Sequence, residues 1–157
     1  MNKNALKEYL YKVAKEGYAN AEKENTWVKE ENGSTTITHS DGDFSMHDNF
    51  FGGEPYGGRE VVFYKGKPVW IMVYYGKVEK SVTEVKKVYS TLQKALAISD
   101  PEAPLRGPKM FLSGGMQYVN HYHGSIEEFE GKESIVENGK EVYSASYMGG
   151  YVDKRGE

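Results

Sequence analysis

The sequence contains no cysteine, so disulfides, thiolate metal sites and cysteine nucleophiles are excluded. It has no apolar run long enough to cross a membrane, and its first residues lack the apolar core of a signal peptide. The formal net charge is only -3, without the concentrated excess of Lys and Arg that sequence-independent binding to nucleic acid requires. We therefore expect a cytoplasmic protein that neither enters a membrane nor binds nucleic acid directly.

Aromatic residues are abundant, and the composition is that of a folded protein. Of the 157 residues, 38% are hydrophobic and 13% aromatic, and thirteen are tyrosine. A chain of this length can bury a core without disulfides but is short for two domains. One domain is therefore predicted over residues 1–157.

The most informative feature is an internal similarity. The stretch Tyr56–Gly76 aligns without a gap on Phe129–Gly149, with seven identical pairs that include Glu60 with Glu133 and Tyr74 with Tyr147. Such a match predicts one structural unit present twice. We place the repeats at about 3–76 and about 81–150.

Two helices are predicted at equivalent places in these repeats. Apolar residues from Leu6 to Ala14 follow helical spacing, and so do those from Val85 to Leu96, where Ser81–Glu84 has the spacing of a capping box. Turn dipeptides and short apolar runs elsewhere favour β-meanders. The predicted fold class is α+β: two helix-plus-β-meander repeats with pseudo-twofold symmetry, in which an antiparallel sheet packs on two helices.

The repeated segment is predicted to be a β-hairpin. Its two-residue turns are Lys65-Gly66 and Asn138-Gly139, and this geometry places Val62 opposite Val69 in the first copy. Ile135 would likewise face Val142 in the second copy. Both faces of the first hairpin are apolar, which favours cover by the other repeat or by a second subunit. We therefore expect a homo-oligomer, with a homodimer as the simplest form.

Three stretches resemble a known family. They are GDFSMHDNFFGGEPYGGREVVFYKGKPVWIMVYYG at Gly42–Gly76, LRGP at Leu105–Pro108, and FEGKESIVENGKEVYSASYMGG at Phe129–Gly150. They resemble the bacterial and archaeal family catalogued as domain of unknown function 5680. Members occur alone or behind a helix-turn-helix of the Xre type, so the resemblance implies a sensing or interaction module. It supplies no catalytic residues.

Aromatic residues of the hairpins are the candidate ligand-binding surface. Aromatic rings give a large contact area at small entropic cost, and tyrosine adds a polar tip. Arg side chains at the edge of such a surface would hold an anionic group. The alternative is that most of these rings belong to the core. The candidates are Trp70, Tyr74, Tyr75, Tyr143 and Tyr147, with Arg59, Arg106 and Lys132.

A metal site is the weaker alternative. His121 and His123 alternate along a strand and so share a face, where a third ligand such as His47 or Asp48 would complete a site. The other interpretation is two half-exposed polar residues that bond to neighbours or water. No cofactor is predicted.

These observations favour a non-enzymatic regulatory or interaction module that binds a small molecule or a partner protein. The alternative is a metal-assisted hydrolase that uses the two histidines. A regulator that acts with a separate DNA-binding chain is a third hypothesis, and it rests on the family resemblance alone.

Overall fold

The computed structural model describes residues 1–155, apart from the side chains of residues 21, 24 and 25, and this part of the chain forms two α-helices, a short 3-10 helix and nine strands. In chain order the elements are α1 (Lys3–Glu16), the 3-10 helix (Ala21–Thr26), β1 (Val28–Lys29), β2 (Ser34–Asp41), β3 (Phe44–Phe51), β4 (Tyr56–Tyr64), β5 (Lys67–Val78), α2 (Val85–Leu96), β6 (Met110–Ser113), β7 (Met116–Ser125), β8 (Glu128–Glu137) and β9 (Lys140–Tyr151).

All nine strands belong to one antiparallel sheet in the order β1-β2-β3-β4-β5-β9-β8-β7-β6. The predicted α+β class with an antiparallel sheet is confirmed. Strands β1 to β5 follow α1, and β6 to β9 follow α2, so each part of the sheet contains strands adjacent in sequence. The two parts join through β5 and β9, whose ladder pairs Trp70 with Tyr151 at one end and Val78 with Tyr143 at the other.

Each helix forms for the reason its sequence indicates, but α2 begins later than predicted. The buried stripe of α2 includes Val88, Leu92 and Ala95. Glu84 is its N-cap and makes no side-chain cap bond, so the predicted capping box from Ser81 does not form. Ser81 lies instead in a turn before the helix.

The predicted register of the first hairpin was wrong by one residue. The turn is Lys65-Gly66 as expected, but Val62 pairs with Trp70 because a β-bulge follows it. Val69 is the extra residue, and a bulge leaves such a residue without a partner. Val62 and Trp70 consequently share the face of the sheet that packs against the helices.

The second hairpin contains the same irregularity. Ile135 pairs with Tyr143 rather than with Val142, and the shift lies between Ile135 and Val136. The expectation that both hairpins share one register is therefore confirmed, although the expected partners were wrong. The sequence pattern assumed an undisturbed ladder beyond the turn, and a bulge is invisible to that assumption.

The two faces of the sheet differ strongly in exposure. On β5 the side chains of Trp70, Met72 and Tyr74 are buried beneath the helices, whereas Val73 and Tyr75 are 41% and 58% exposed on the other face. The buried residues form two clusters. One lies under α1 and contains Val62 and Trp70, and the other lies under α2 and contains Ile135 and Tyr143. In the described part of the chain, neither helix has the length and apolar character that crossing a membrane requires.

Candidate functional site

A cavity of about 600 Å³ lies on the helix-covered face of the sheet. Strands β3, β4 and β5 form its floor, while α1, α2 and the loop that holds Arg106 form its walls. Both tryptophans of the chain, Trp27 and Trp70, line it. The other lining residues on these three strands are Met46, Asp48, Phe50, Tyr56, Glu60, Met72 and Tyr74.

Two carboxyl groups lie side by side in this cavity. Asp48 on β3 and Glu60 on β4 are directly opposite each other in the antiparallel ladder, so their side chains share a face. Asp48 is buried and accepts a hydrogen bond of 2.5 Å from the Tyr74 hydroxyl. Glu60 is half-buried and lines the cavity. Within residues 1–155, no group hydrogen-bonds the Glu60 carboxylate.

The surroundings of this pair favour its protonated forms. Burial raises the pKa of Asp48 to about 6, although the hydrogen bond from Tyr74 opposes the shift. Burial, reinforced by the charge of Asp48, raises the pKa of Glu60 to about 8. The positive charge of Arg106 lowers both values but does not cancel the effect of burial. The two carboxyls therefore hold a proton near neutral pH, where isolated carboxyls are ionised.

Arg106 forms the boundary between this cavity and a second buried acid, Glu133. The Arg106 side chain is 9% exposed, and two of its nitrogens donate to the Glu133 carboxylate. Glu133 is completely buried. Its carboxylate also accepts hydrogen bonds from Tyr118 at 2.6 Å and Tyr143 at 2.9 Å. The charge of Glu133 is thus neutralised and hydrogen-bonded, which a buried carboxylate requires.

The loop that presents Arg106 is fixed to the second half of the sheet. The Asn120 amide donates to the carbonyls of Leu105 and Gly107 at 3.1 and 3.0 Å. Arg106 itself has a φ of 74°, in the left-handed region that most side chains avoid. The next residue, Gly107, packs so closely on Tyr118 that a Cβ there would lie 2.7 Å from the ring. This packing holds the guanidinium in place.

The predicted ligand-binding residues lie in three environments. Trp70, Tyr74 and Arg106 line the cavity together. Tyr143 and Tyr147 are buried in the second half of the sheet, at 0% and 3% exposure. The remaining ones are exposed on the opposite face of the sheet and do not reach the cavity; they are Tyr75, Arg59 and Lys132.

The three histidines considered for a metal do not converge. His121 and His123 are exposed on β7, while His47 is on β3, five strands away in the sheet. At the usual spacing of neighbouring strands this separation is roughly 24 Å, too far for one ion. Among the side chains that the structure describes, no group of three or more His, Cys, Asp or Glu is arranged to hold a metal.

Sequence reasoning missed the roles of Glu60 and Glu133. Glu60 and Glu133 are an identical pair in the alignment of Tyr56–Gly76 with Phe129–Gly149, and this identity was the available signal. Asp48 was considered only as a possible metal ligand. Their significance depends on which face they share with Tyr74 and Arg106, and the bulges that set those faces left no sequence signal.

Comparison with known families gives one match. Residues 48–152 match the family described as Domain of unknown function (DUF5680). The chain belongs to this family. The matched region contains Asp48, Glu60, Arg106 and Glu133, so all four groups of the site lie within the family domain. Neither the curated proteins nor the solved structures provide a match.

Proposed function

We propose that this protein is a binding module that holds a small molecule in the cavity between its helices and sheet. The observation that carries the proposal is Glu60, an acid that lines a cavity of about 600 Å³ without a hydrogen-bond partner among residues 1–155. Ligand sites are typically concave, mostly apolar and supplied with a few polar groups of this kind. The alternative is that the protein binds a partner protein, through the exposed face of the sheet near Tyr75.

We further propose that the two halves derive from a duplicated unit with pseudo-twofold symmetry. In support, Tyr74 and Tyr147, which are equivalent in the sequence alignment, pair with each other in the β5–β9 ladder. Each donates a hydrogen bond from its hydroxyl, Tyr74 to Asp48 at 2.5 Å and Tyr147 to Asn120 at 2.6 Å. Asp48 lies opposite Glu60, and Asn120 lies opposite Glu133, the acid that aligns with Glu60.

The difference between the halves supports the binding proposal. At the place of Met46 and Trp70 in the first half, the second half has Tyr118 and Tyr143, and both hydroxyls donate to Glu133. Glu133 is therefore fully enclosed by its own chain. Glu60 instead faces the open volume of the cavity beside Met46 and Trp70, which a ligand would fill.

An uncharged dye tests whether the cavity is accessible. Because both tryptophans line it, N-phenyl-1-naphthylamine bound inside should accept excitation energy from Trp27 and Trp70. We expect saturable energy transfer in the unmodified protein. Ser90→Trp, on the cavity side of α2, should weaken dye binding about tenfold or more by obstructing the cavity.

Lys94→Trp is the matched control for that experiment. Lys94 is exposed on the same helix but does not line the cavity, so this variant should bind the dye like the unmodified protein, with allowance for its added tryptophan. Equal dye affinity in the two variants would show that the dye binds elsewhere. Absence of saturable binding in the unmodified protein would contradict a ligand cavity.

A further inference from the structure

We propose that the occupant of the cavity is a protonated amine with an apolar body, bound through its ammonium group by Asp48 and Glu60. This inference rests on the binding function proposed above and specifies the chemical class of the ligand. It is carried by the charges, the free acceptor atoms and the aromatic walls of the cavity.

Among the described residues, no cation hydrogen-bonds the carboxyl pair of the cavity. Arg106 is the buried cation among the described lining residues, but its guanidinium is already bonded to Glu133. It also lies over the ring of Tyr74, 5.5 Å from the centroid. Although the charge of Arg106 lowers the pKa values of Asp48 and Glu60, its guanidinium is bonded to Glu133 and donates to neither acid.

The free acceptor atoms suit an ammonium group. Tyr74 donates to Oδ1 of Asp48, and in the described part of the chain no donor reaches the other oxygen of Asp48 or either oxygen of Glu60. Directly opposed residues in an antiparallel ladder have Cβ atoms about 4.5–5.5 Å apart. An ammonium carries three N–H donors and no acceptor, so one nitrogen between the two carboxylates would satisfy both.

The remaining walls suit an apolar group attached to that nitrogen. Trp70 and Met72 lie on β5 beside the acids, Met46 lies next to Asp48 on the same face of β3, and α1 contributes Leu10 and Val13. Aromatic faces attract cations, and methionine side chains adapt to apolar groups of varied shape. An anionic ligand would meet two acids there, and its repulsion from them makes it the least favourable class.

The affinity for an amine should rise with pH. Burial raises the pKa of both acids and so favours their protonated forms. A bound ammonium group favours the ionised forms instead. The amine therefore displaces a proton from the pair when it binds. The other charged groups that line the cavity are Arg106 and the exposed Lys29 and Lys86, and Lys29 already donates to Thr35 at 2.8 Å. Both lysines are exposed and Arg106 is paired with Glu133, so we assign the pH dependence to the two carboxyls.

Three probes with one apolar body test the inference: 2-naphthylmethylamine, 2-naphthylmethanol and 2-naphthoate, measured by isothermal titration calorimetry. We expect the amine to bind about tenfold or more tightly than the alcohol, and the carboxylate to bind most weakly. The preference for the amine should shrink as the pH is lowered from about 8.5 to about 6, where both acids retain protons. Glu60→Gln and, separately, Asp48→Asn should reduce the preference while the alcohol still binds. Glu128→Gln, an exposed substitution on β8, should leave it unchanged.

The outcomes separate this inference from the binding function itself. If amine and alcohol bind equally, or the carboxylate binds best, the amine class is wrong and the ligand cavity stands. If none of the three probes and no uncharged dye binds, both proposals fail. If the amine preference survives both acid substitutions, the ammonium lies elsewhere and the inference is overturned.

Discussion

Tyr74 and Tyr147 face each other at the junction of β5 and β9, yet their hydroxyls serve chemically different acceptors. Tyr74 donates to the carboxylate of Asp48, which burial makes harder to ionise. Tyr147 donates to the amide oxygen of Asn120, a neutral group that also bonds to the Arg106 loop. Of these two facing tyrosines, Tyr74 therefore supports an ionisable group of the cavity and Tyr147 supports a fixed structural contact.

Removal of the Tyr74 hydroxyl should destabilise the protein in a pH-dependent way. Tyr74→Phe leaves the buried Asp48 without a hydrogen bond within residues 1–155, at a cost of about 1–3 kcal/mol near pH 8, where Asp48 is ionised. The cost should fall near pH 5, since a protonated carboxyl needs less compensation. Urea unfolding at both pH values measures it.

Tyr147→Phe is the matched control for that substitution. In this variant Asn120 keeps its hydrogen bonds to the carbonyls of Leu105 and Gly107, and it carries no charge. The loss of stability caused by Tyr147→Phe should therefore not change with pH. Equal pH dependence of the two variants would contradict the role assigned to Asp48.

The ligand-free protein should become less stable as the pH rises through the range in which the acid pair ionises. Glu60 and Asp48 have raised pKa values in the folded state, so the folded protein binds more protons than the unfolded chain. Their contribution is complete below about pH 4 and is lost as the pH passes about 6 and then about 8. In Glu60→Gln this decline in the free energy of unfolding should become shallower, and in Glu128→Gln it should remain. A slope unaffected by Glu60→Gln would show that Glu60 ionises normally.

Loss of Arg106 should destabilise the protein through Glu133. Arg106→Met leaves a completely buried carboxylate without its cation, which typically costs about 3–5 kcal/mol. Glu133→Gln in the same chain removes the unpaired charge and should restore much of that loss. Urea unfolding of the single and double variants forms a double-mutant cycle, and additive losses would contradict direct coupling.

Close packing between β5 and β9 should make Gly149 intolerant of any side chain. A Cβ at Gly149 would lie 2.0 Å from the carbonyl oxygen of Ile71, so Gly149→Ala must move the two strands apart. We expect a loss of about 3 kcal/mol in the free energy of unfolding. Gly53 has open space at its Cβ, and Gly53→Ala should change stability by less than about 0.5 kcal/mol. Similar losses in both variants would contradict the steric explanation.

Local sequence patterns predicted the helices and hairpins because each depends on neighbouring residues. The stripe that includes Val88 and Leu92 and the turn Lys65-Gly66 are of this kind. The bulge beside Val62 was not predictable, since it depends on strain along the whole ladder. The bulge decides which side chains share a face with Trp70. A strand register predicted without the bulge therefore assigns those faces incorrectly.

The site was predicted only in part, for a related reason. Arg106 was a candidate ligand residue, but its left-handed backbone and its bond to Glu133 have no local sequence signal. The cavity itself depends on the spacing between α1 and α2, which precede different parts of the sheet. Such a distance is a property of tertiary packing and is absent from any single segment.

The position of β9 has a consequence for synthesis on the ribosome. Strand β9 follows all the other described strands in the chain, yet it lies in the middle of the sheet, hydrogen-bonded to β5 and β8. Until Lys140–Tyr151 has been made, β5 is an edge strand with unpaired backbone groups from Trp70 to Val78. An apolar strand with an open edge is a template for pairing with other chains. The nascent chain is thus most vulnerable to aggregation just before β9 emerges.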